Sequence, residues 1–384
     1  MKFSGRTGWE FSPNALSRAL EARRGSGREI LDWTLSNPTE CSFPYPAEEI
    51  RAALSLPAAL RYEPDPRGLP GAREAVSAWY ARRGVHVDPG ALFLTASSSE
   101  AYSWLFRLLC NSGEQVLIPK PGYPLFDDLA RLNDLVLVPY RCRYDGEWHI
   151  DLGSVREGIS DRTRAIVVIH PNNPTGNYLS AAERDALSLL ARERDLALIS
   201  DEVFWMYPLD EKVPPPTLHG ADAPLTAVIN GLSKLAGLPQ MKLGWIALSG
   251  EGSAEASKRL VMIGDTYLSV NTPVQAGLAG ILECSADLAD AIRRRAAANY
   301  RRIAARLSGT PITLLASEGG WNGILRMPGH RSDEEWALRL LEKTGVLTYP
   351  GHFFDLEGGV FLVVSLIVDE KKTGDCIDRI LTNL

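Results

Sequence analysis

Between residues 91 and 248 short apolar runs alternate with longer amphipathic stretches, and this alternation restricts the fold of the chain more than any other feature. The runs are Ala91 to Thr95, Gln115 to Pro119, Leu135 to Pro139, Ala165 to His170, Leu196 to Ser200, Ala227 to Asn230 and Gly244 to Leu248. Several are apolar on both faces, as buried strands of a mainly parallel sheet must be. The stretches between them, such as Ser99 to Cys110, Ser180 to Arg194 and Glu255 to Gly264, read as covering helices. From Pro273 to Ser308 the text is helical and rich in Arg and Ala. It then turns to strand signals at Gly323 to Met327, Val346 to Tyr349 and Phe361 to Val368, followed by a last helix. The expectation is an α/β fold: a large sheet covered by helices, and a smaller α+β C-terminal domain.

In an open α/β sheet, ligands sit beyond the C-terminal ends of the strands. Those ends carry most of the suggestive polar residues here. Ser97-Ser98-Ser99-Glu100 follows the first run and opens a helix, where hydroxyls and unpaired N–H groups favour an anion. Asn172-Asn173-Pro174-Thr175-Gly176 follows the fourth run, and Asp201-Glu202 ends the fifth. Asn230-Gly231-Leu232-Ser233-Lys234 follows the sixth, and Lys242 precedes the seventh. A lysine amine that is desolvated or set near other cations can lose its proton and attack a carbonyl. Zinc-protease, P-loop, nucleophile-elbow and dinucleotide-loop signatures are missing, and six scattered histidines make no metal site.

The net charge of −6 argues against a nucleic-acid binder working through a general basic field. No apolar run approaches the ~20 residues needed to span a bilayer, so no membrane role is expected. The N-terminus has no hydrophobic signal core, and the five cysteines are odd in number and widely separated. They are expected to be reduced thiols of a cytoplasmic protein.

In their order and spacing these residues resemble the fold-type I pyridoxal 5'-phosphate (PLP) enzymes, in particular the class I/II aminotransferases. The likeness runs from about Ser36 to Ser365, and Asp201 follows Asn173 by 28 residues and precedes Lys234 by 33. It makes Lys234 the lysine that forms a Schiff base with the cofactor, and Asp201 the partner of the pyridine nitrogen. Asn173 would bind the phenolic oxygen, O3′, and Tyr123 would stack on the ring. Ser98, Ser99, Ser233 and Lys242 would hold the phosphate, and Tyr62 would reach it from the neighbouring subunit of a homodimer. The implied organisation is an N-terminal segment over 1–45 packed on the small domain, a PLP-binding domain over 46–280 and a small domain over 281–384. The implied function is transfer of an amino group between an amino acid or amine and a 2-oxo acid. Met1 to Asn37 is too short for the DNA-binding domain that some regulators fuse to this fold.

Four positions depart from the family pattern. Phe204 replaces a tyrosine that donates to O3′, Gly231 a phosphate-binding serine and Lys242 an arginine. Val363 stands where many aminotransferases carry the arginine that clamps the substrate carboxylate. Ser36, Asn322 and Arg326 are the candidate substrate contacts, the last two on one face of a strand by its period of two. The missing clamp and Phe204 keep a second reading open: a PLP-dependent lyase, cyclase or oxidase of an amino-acid derivative.

Overall fold

The computed structural model describes residues 1–210 and 214–384. Its strands, in chain order, begin with β1 Leu31–Asp32, β2 Leu92–Thr95, β3 Gln115–Lys120, β4 Val136–Tyr144, β5 Trp148–Ile150, β6 Thr163–Ile169 and β7 Ala197–Asp201. They continue with β8 Leu225–Gly231, β9 Gly244–Ser249, β10 Thr313–Leu314, β11 Asn322–Arg326, β12 Val346–Leu347, β13 Tyr349–Pro350 and β14 Phe361–Ser365.

All seven apolar runs lie in one eight-stranded sheet of order β2-β9-β8-β7-β6-β3-β4-β5. From β8 to β4 neighbours are parallel. Strand β9 is antiparallel to both β2 and β8. The C-terminal ends of β2, β3, β6, β7 and β8 therefore share one edge with the N-terminal end of β9. The position of the site follows from this topology. Strands β6, β7 and β8 are buried along nearly their whole length, because helices cover both faces. One is Ser98–Leu109, which turns Ala101, Tyr102, Leu105 and Phe106 to the sheet. Their i, i+1, i+4, i+5 spacing makes a single helical stripe.

Strand β5 escaped the sequence because three residues carry too little pattern; it exists by pairing with the end of β4 across the turn at Gly146, which has φ of 121°. The helical text after residue 272 is interrupted twice, giving Thr272–Ala276, Leu278–Cys284 and Ala286–Leu307. Gly277 marks the first break: a Cβ there would lie 2.3 Å from the Ala53 carbonyl oxygen of helix Ala47–Leu54. Only a residue without a side chain allows that approach.

A second, antiparallel sheet has the order β10-β11-β14-β13. Beside it the parallel pair β1–β12 joins the N-terminal segment to the C-terminal part of the chain. Helix Ala15–Gly25 packs on helix Asp333–Thr344, so Leu16, Leu31 and Trp33 share one core with Trp336 and Leu340. Further out, Trp9 donates from its indole nitrogen to Asp128, and Arg6 pairs with Asp134. The N-terminal residues thus reach the large sheet's side of the cleft as well.

Candidate active site

Between the shared strand edge and the small sheet lies a cavity of about 950 Å³. Ser98, Tyr123, Asn173, Asp201, Ser233 and Lys234 line it from the large-sheet side, and Ser36 and Asn322 from the other. Lys234 sits in the one-turn helix Leu232–Leu235 that begins where β8 ends. Tyr207 holds that turn by donating its hydroxyl to the Lys234 carbonyl oxygen at 2.6 Å. The Lys234 ammonium lies 5.1 Å from the Trp321 ring centre and 5.7 Å from that of Phe204. Burial against these rings lowers its pKa below the usual lysine value, while the Asp201 charge opposes the shift.

Asp201 ends β7 and is almost fully buried. Its Oδ2 accepts from the Tyr102 hydroxyl at 2.9 Å and its Oδ1 from the Val203 N–H at 3.1 Å. Desolvation dominates over these two donors and pushes its pKa up to about 6. Asn173 accepts on Oδ1 from the Asn322 side-chain amide at 2.7 Å. That contact fixes the orientation of the Asn173 amide and leaves its own N–H₂ to donate elsewhere. Tyr123 packs edge to face on Phe126 with ring centres 6.0 Å apart.

Ser97 is the N-cap of helix Ser98–Leu109 and accepts from the Glu100 N–H at 3.1 Å. Ser98 and Ser99 form the first turn, whose unpaired N–H groups point out of the helix end. Lys242 is exposed and holds a left-handed φ of 50° just before β9. Gly231 pairs with Gly244 across β8 and β9. A Cβ at Gly231 would lie 2.8 Å from the Gly244 Cα, so this backbone has no room for the serine expected there.

Not every candidate reaches the cavity. Arg326 lies at the far end of β11, roughly 13 Å from Asn322 at the ~3.3 Å rise of a strand. Its guanidinium covers the rings of Tyr144 and Phe361 instead. Ser99 and Lys242 flank the lining without forming it, and Tyr62 is exposed at a separate cleft with Gly68 and Gln275. Val363 is buried among Ile324, Phe354 and Phe361. Sequence reasoning missed Tyr102, Trp321, Tyr349, Asp32 and Asp128. Tyr102 had one usable signal, since it lies four residues after Ser98 on the stripe facing the sheet.

The donor set suits PLP. A buried carboxylate meets the need of a pyridine nitrogen, an oriented amide that of a phenolic oxygen, a desolvated amine that of an aldehyde, and a helix N-terminus that of a phosphate. This is the constellation of a fold-type I PLP enzyme, and the comparisons with known proteins agree. The family model for aminotransferase class I and II matches residues 31–380, and the chain belongs to that PLP-dependent family. Glutamate-pyruvate aminotransferase AlaA of Escherichia coli K12 is 32% identical over 269 residues, which are 66% of this chain and 64% of that protein. The chain therefore spans under two thirds of the length of this relative. S-alkyl-thiohydroximate lyase SUR1 of Arabidopsis thaliana is 34% identical over 56% of this chain and 48% of its own. Among solved structures, alanine aminotransferase from Pyrococcus furiosus superposes with a TM-score of 0.88 at 24% identity, covering 99% of both chains. A Thermus thermophilus aspartate aminotransferase mutant does so with the same score over 100% of both.

Proposed function

We propose that the protein is a PLP-dependent aminotransferase that moves an amino group from an amino compound to a 2-oxo acid. The observation that carries this is the desolvated Lys234 amine at the end of β8, in the same cavity as the buried Asp201 carboxylate at the end of β7. Bound PLP supplies an electron-poor ring that delocalises the electron pair left on the substrate carbon when its proton is removed. Asp201, as an anion, keeps the ring nitrogen protonated. Asn173, aimed by Asn322, donates to O3′. Ser98, Ser99, Ser233 and Lys242 bind the phosphate, and Tyr123 covers one face of the ring. Lys234 would hold the cofactor covalently and, once the substrate's amino group has displaced it as a free amine, would carry the proton from the substrate carbon to C4′ of the ring. Its lowered pKa favours the neutral amine that this work needs. Trp321 and Phe204 keep water from the amine.

Borohydride reduction of the PLP-loaded protein should leave a pyridoxyl group on Lys234, found by peptide mass mapping. An amino donor should convert the bound cofactor to pyridoxamine phosphate. Lys234→Ala should lose both the covalent label and the visible absorption of the attached cofactor. A label on another lysine would overturn the assignment.

The lyase, cyclase or oxidase reading keeps two supports: Phe204 brings no hydroxyl to O3′, and one relative is named a lyase. Substrate consumption without any pyridoxamine phosphate would decide for it. The homodimer is part of the proposal, supported by the exposed Tyr62 ring, and light scattering of the purified protein tests it. A cytoplasmic location is supported by five cysteines without disulfide partners.

A further inference from the structure

Beyond the residues around Lys234 the cavity is lined by the apolar side chains of Leu35, Leu125, Tyr349, Phe353 and Phe354. Among the described residues its lining carries three carboxylates, Asp32, Asp128 and Asp201, against a single cation, Lys234. That cation is the reacting group. Asp32 accepts on Oδ1 from the N–H and hydroxyl of Thr34, at 2.9 and 2.6 Å. Asp128 accepts on Oδ1 from the Trp9 indole at 2.5 Å. Neither has a cationic partner within 4.0 Å among the described residues, and each keeps acceptor sites open. Asn322 spends an amide N–H on Asn173.

Val363 closes the alternative from below. Its side chain is 1% exposed and packs with Ile324, Phe354 and Phe361 under the aromatic wall. It pairs with Ile324 on β11 and with Tyr349 on β13. A carboxylate brought into this space would lose its water without gaining a cation, and would face two like charges. An amine with an apolar body pays neither cost.

We propose that the pocket takes a primary amine whose reacting carbon bears no carboxylate. This rests on the reading of the site as a PLP site. It replaces the α-amino acid by an amine as the preferred donor and the 2-oxo acid, which would meet the same lining, by an aldehyde or ketone as the preferred acceptor. The selection comes from the apolar lining together with Asp32 and Asp128.

Stable reduced conjugates test this by binding alone. Calorimetric titration of the cofactor-free protein would compare phosphopyridoxyl-2-phenylethylamine with phosphopyridoxyl-phenylalanine, and phosphopyridoxyl-ethylamine with phosphopyridoxyl-alanine. The members of each pair differ only in the carboxylate. The amine conjugate is expected to bind at least ~10-fold tighter in each pair, the size of one uncompensated charge contact. Equal or tighter binding of the amino-acid conjugates would overturn the proposal. PLP itself, titrated in parallel, separates the two levels: if it fails to bind, the PLP reading falls and this inference with it, and if it binds while the amino-acid conjugates win, only the inference falls.

Discussion

Asp201 shows how one residue can be costly to the fold and useful to the site. A carboxyl whose folded pKa is about 6 instead of 3.8 binds its proton more tightly in the fold than in the unfolded chain. Stability from this difference is fully present below pH 3.8 and is lost as pH rises through 6, so that the ionised carboxylate leaves the fold about 3 kcal/mol less stable than the protonated form does. The cofactor's ring nitrogen would offset that cost by pairing with the anion. In the cofactor-free protein Asp201→Asn should therefore raise the urea midpoint at pH 8 and leave it unchanged near pH 3.5. Lower stability of the variant at both pH values would show that Tyr102 and Val203, not desolvation, dominate there. His170 has the opposite sign: burial lowers its pKa to about 3, so it removes stability as pH falls below 6.5. Asp201 and His170 were both visible as strand-end residues. Their shifts were not, because desolvation depends on what the rest of the chain packs around them.

At the scale of elements, helix Ser98–Leu109 ties core and site together. One of its faces packs on the large sheet, its first turn opens at the strand edge, and Tyr102 on its second turn grips Asp201. The Ser97 cap is worth about 1 kcal/mol to such a helix. Ser97→Ala should lower stability by that amount, read from denaturant unfolding. It should also weaken PLP binding severalfold in a fluorescence titration, because the first turn that presents Ser98 and Ser99 frays. Unchanged PLP affinity would remove the helix N-terminus from the phosphate site. The helix was legible from its serine start and its spacing of apolar residues. The breaks after residue 272 were not, since Gly277 acts through contact with a helix more than 200 residues earlier in the chain.

For the whole molecule, the contact between the two sheets decides whether the cavity exists. Trp321 is fully buried and packs edge to face on Phe204 at 5.2 Å and Tyr207 at 5.0 Å, so one side chain joins β11 to the segment that follows β7. Trp321→Ala should cost about 3–5 kcal/mol through the void it leaves. By admitting water to the bond between Lys234 and the cofactor it should also shift the pH at which the bound cofactor's absorption changes. A variant that unfolds at the same denaturant concentration as the parent would show that the contact is dispensable.

The sequence by itself determined the α/β alternation, the order of polar groups at the strand ends and the lysine-carboxylate-amide set, because each is written in short, local patterns of side chains. Tertiary structure alone decided which of them meet. The antiparallel β9 brings Lys242 to the same edge as Lys234, Arg326 and Asn322 lie at opposite ends of β11, and Val363 ends beneath an aromatic wall. Asp32 and Asp128 carry no local signature at all. Asp32 lines the cavity because β1 of the N-terminal segment pairs with β12, and Asp128 because helix Phe126–Leu132 follows β3, so the burial and charge of that space are properties of distances between residues far apart in the chain.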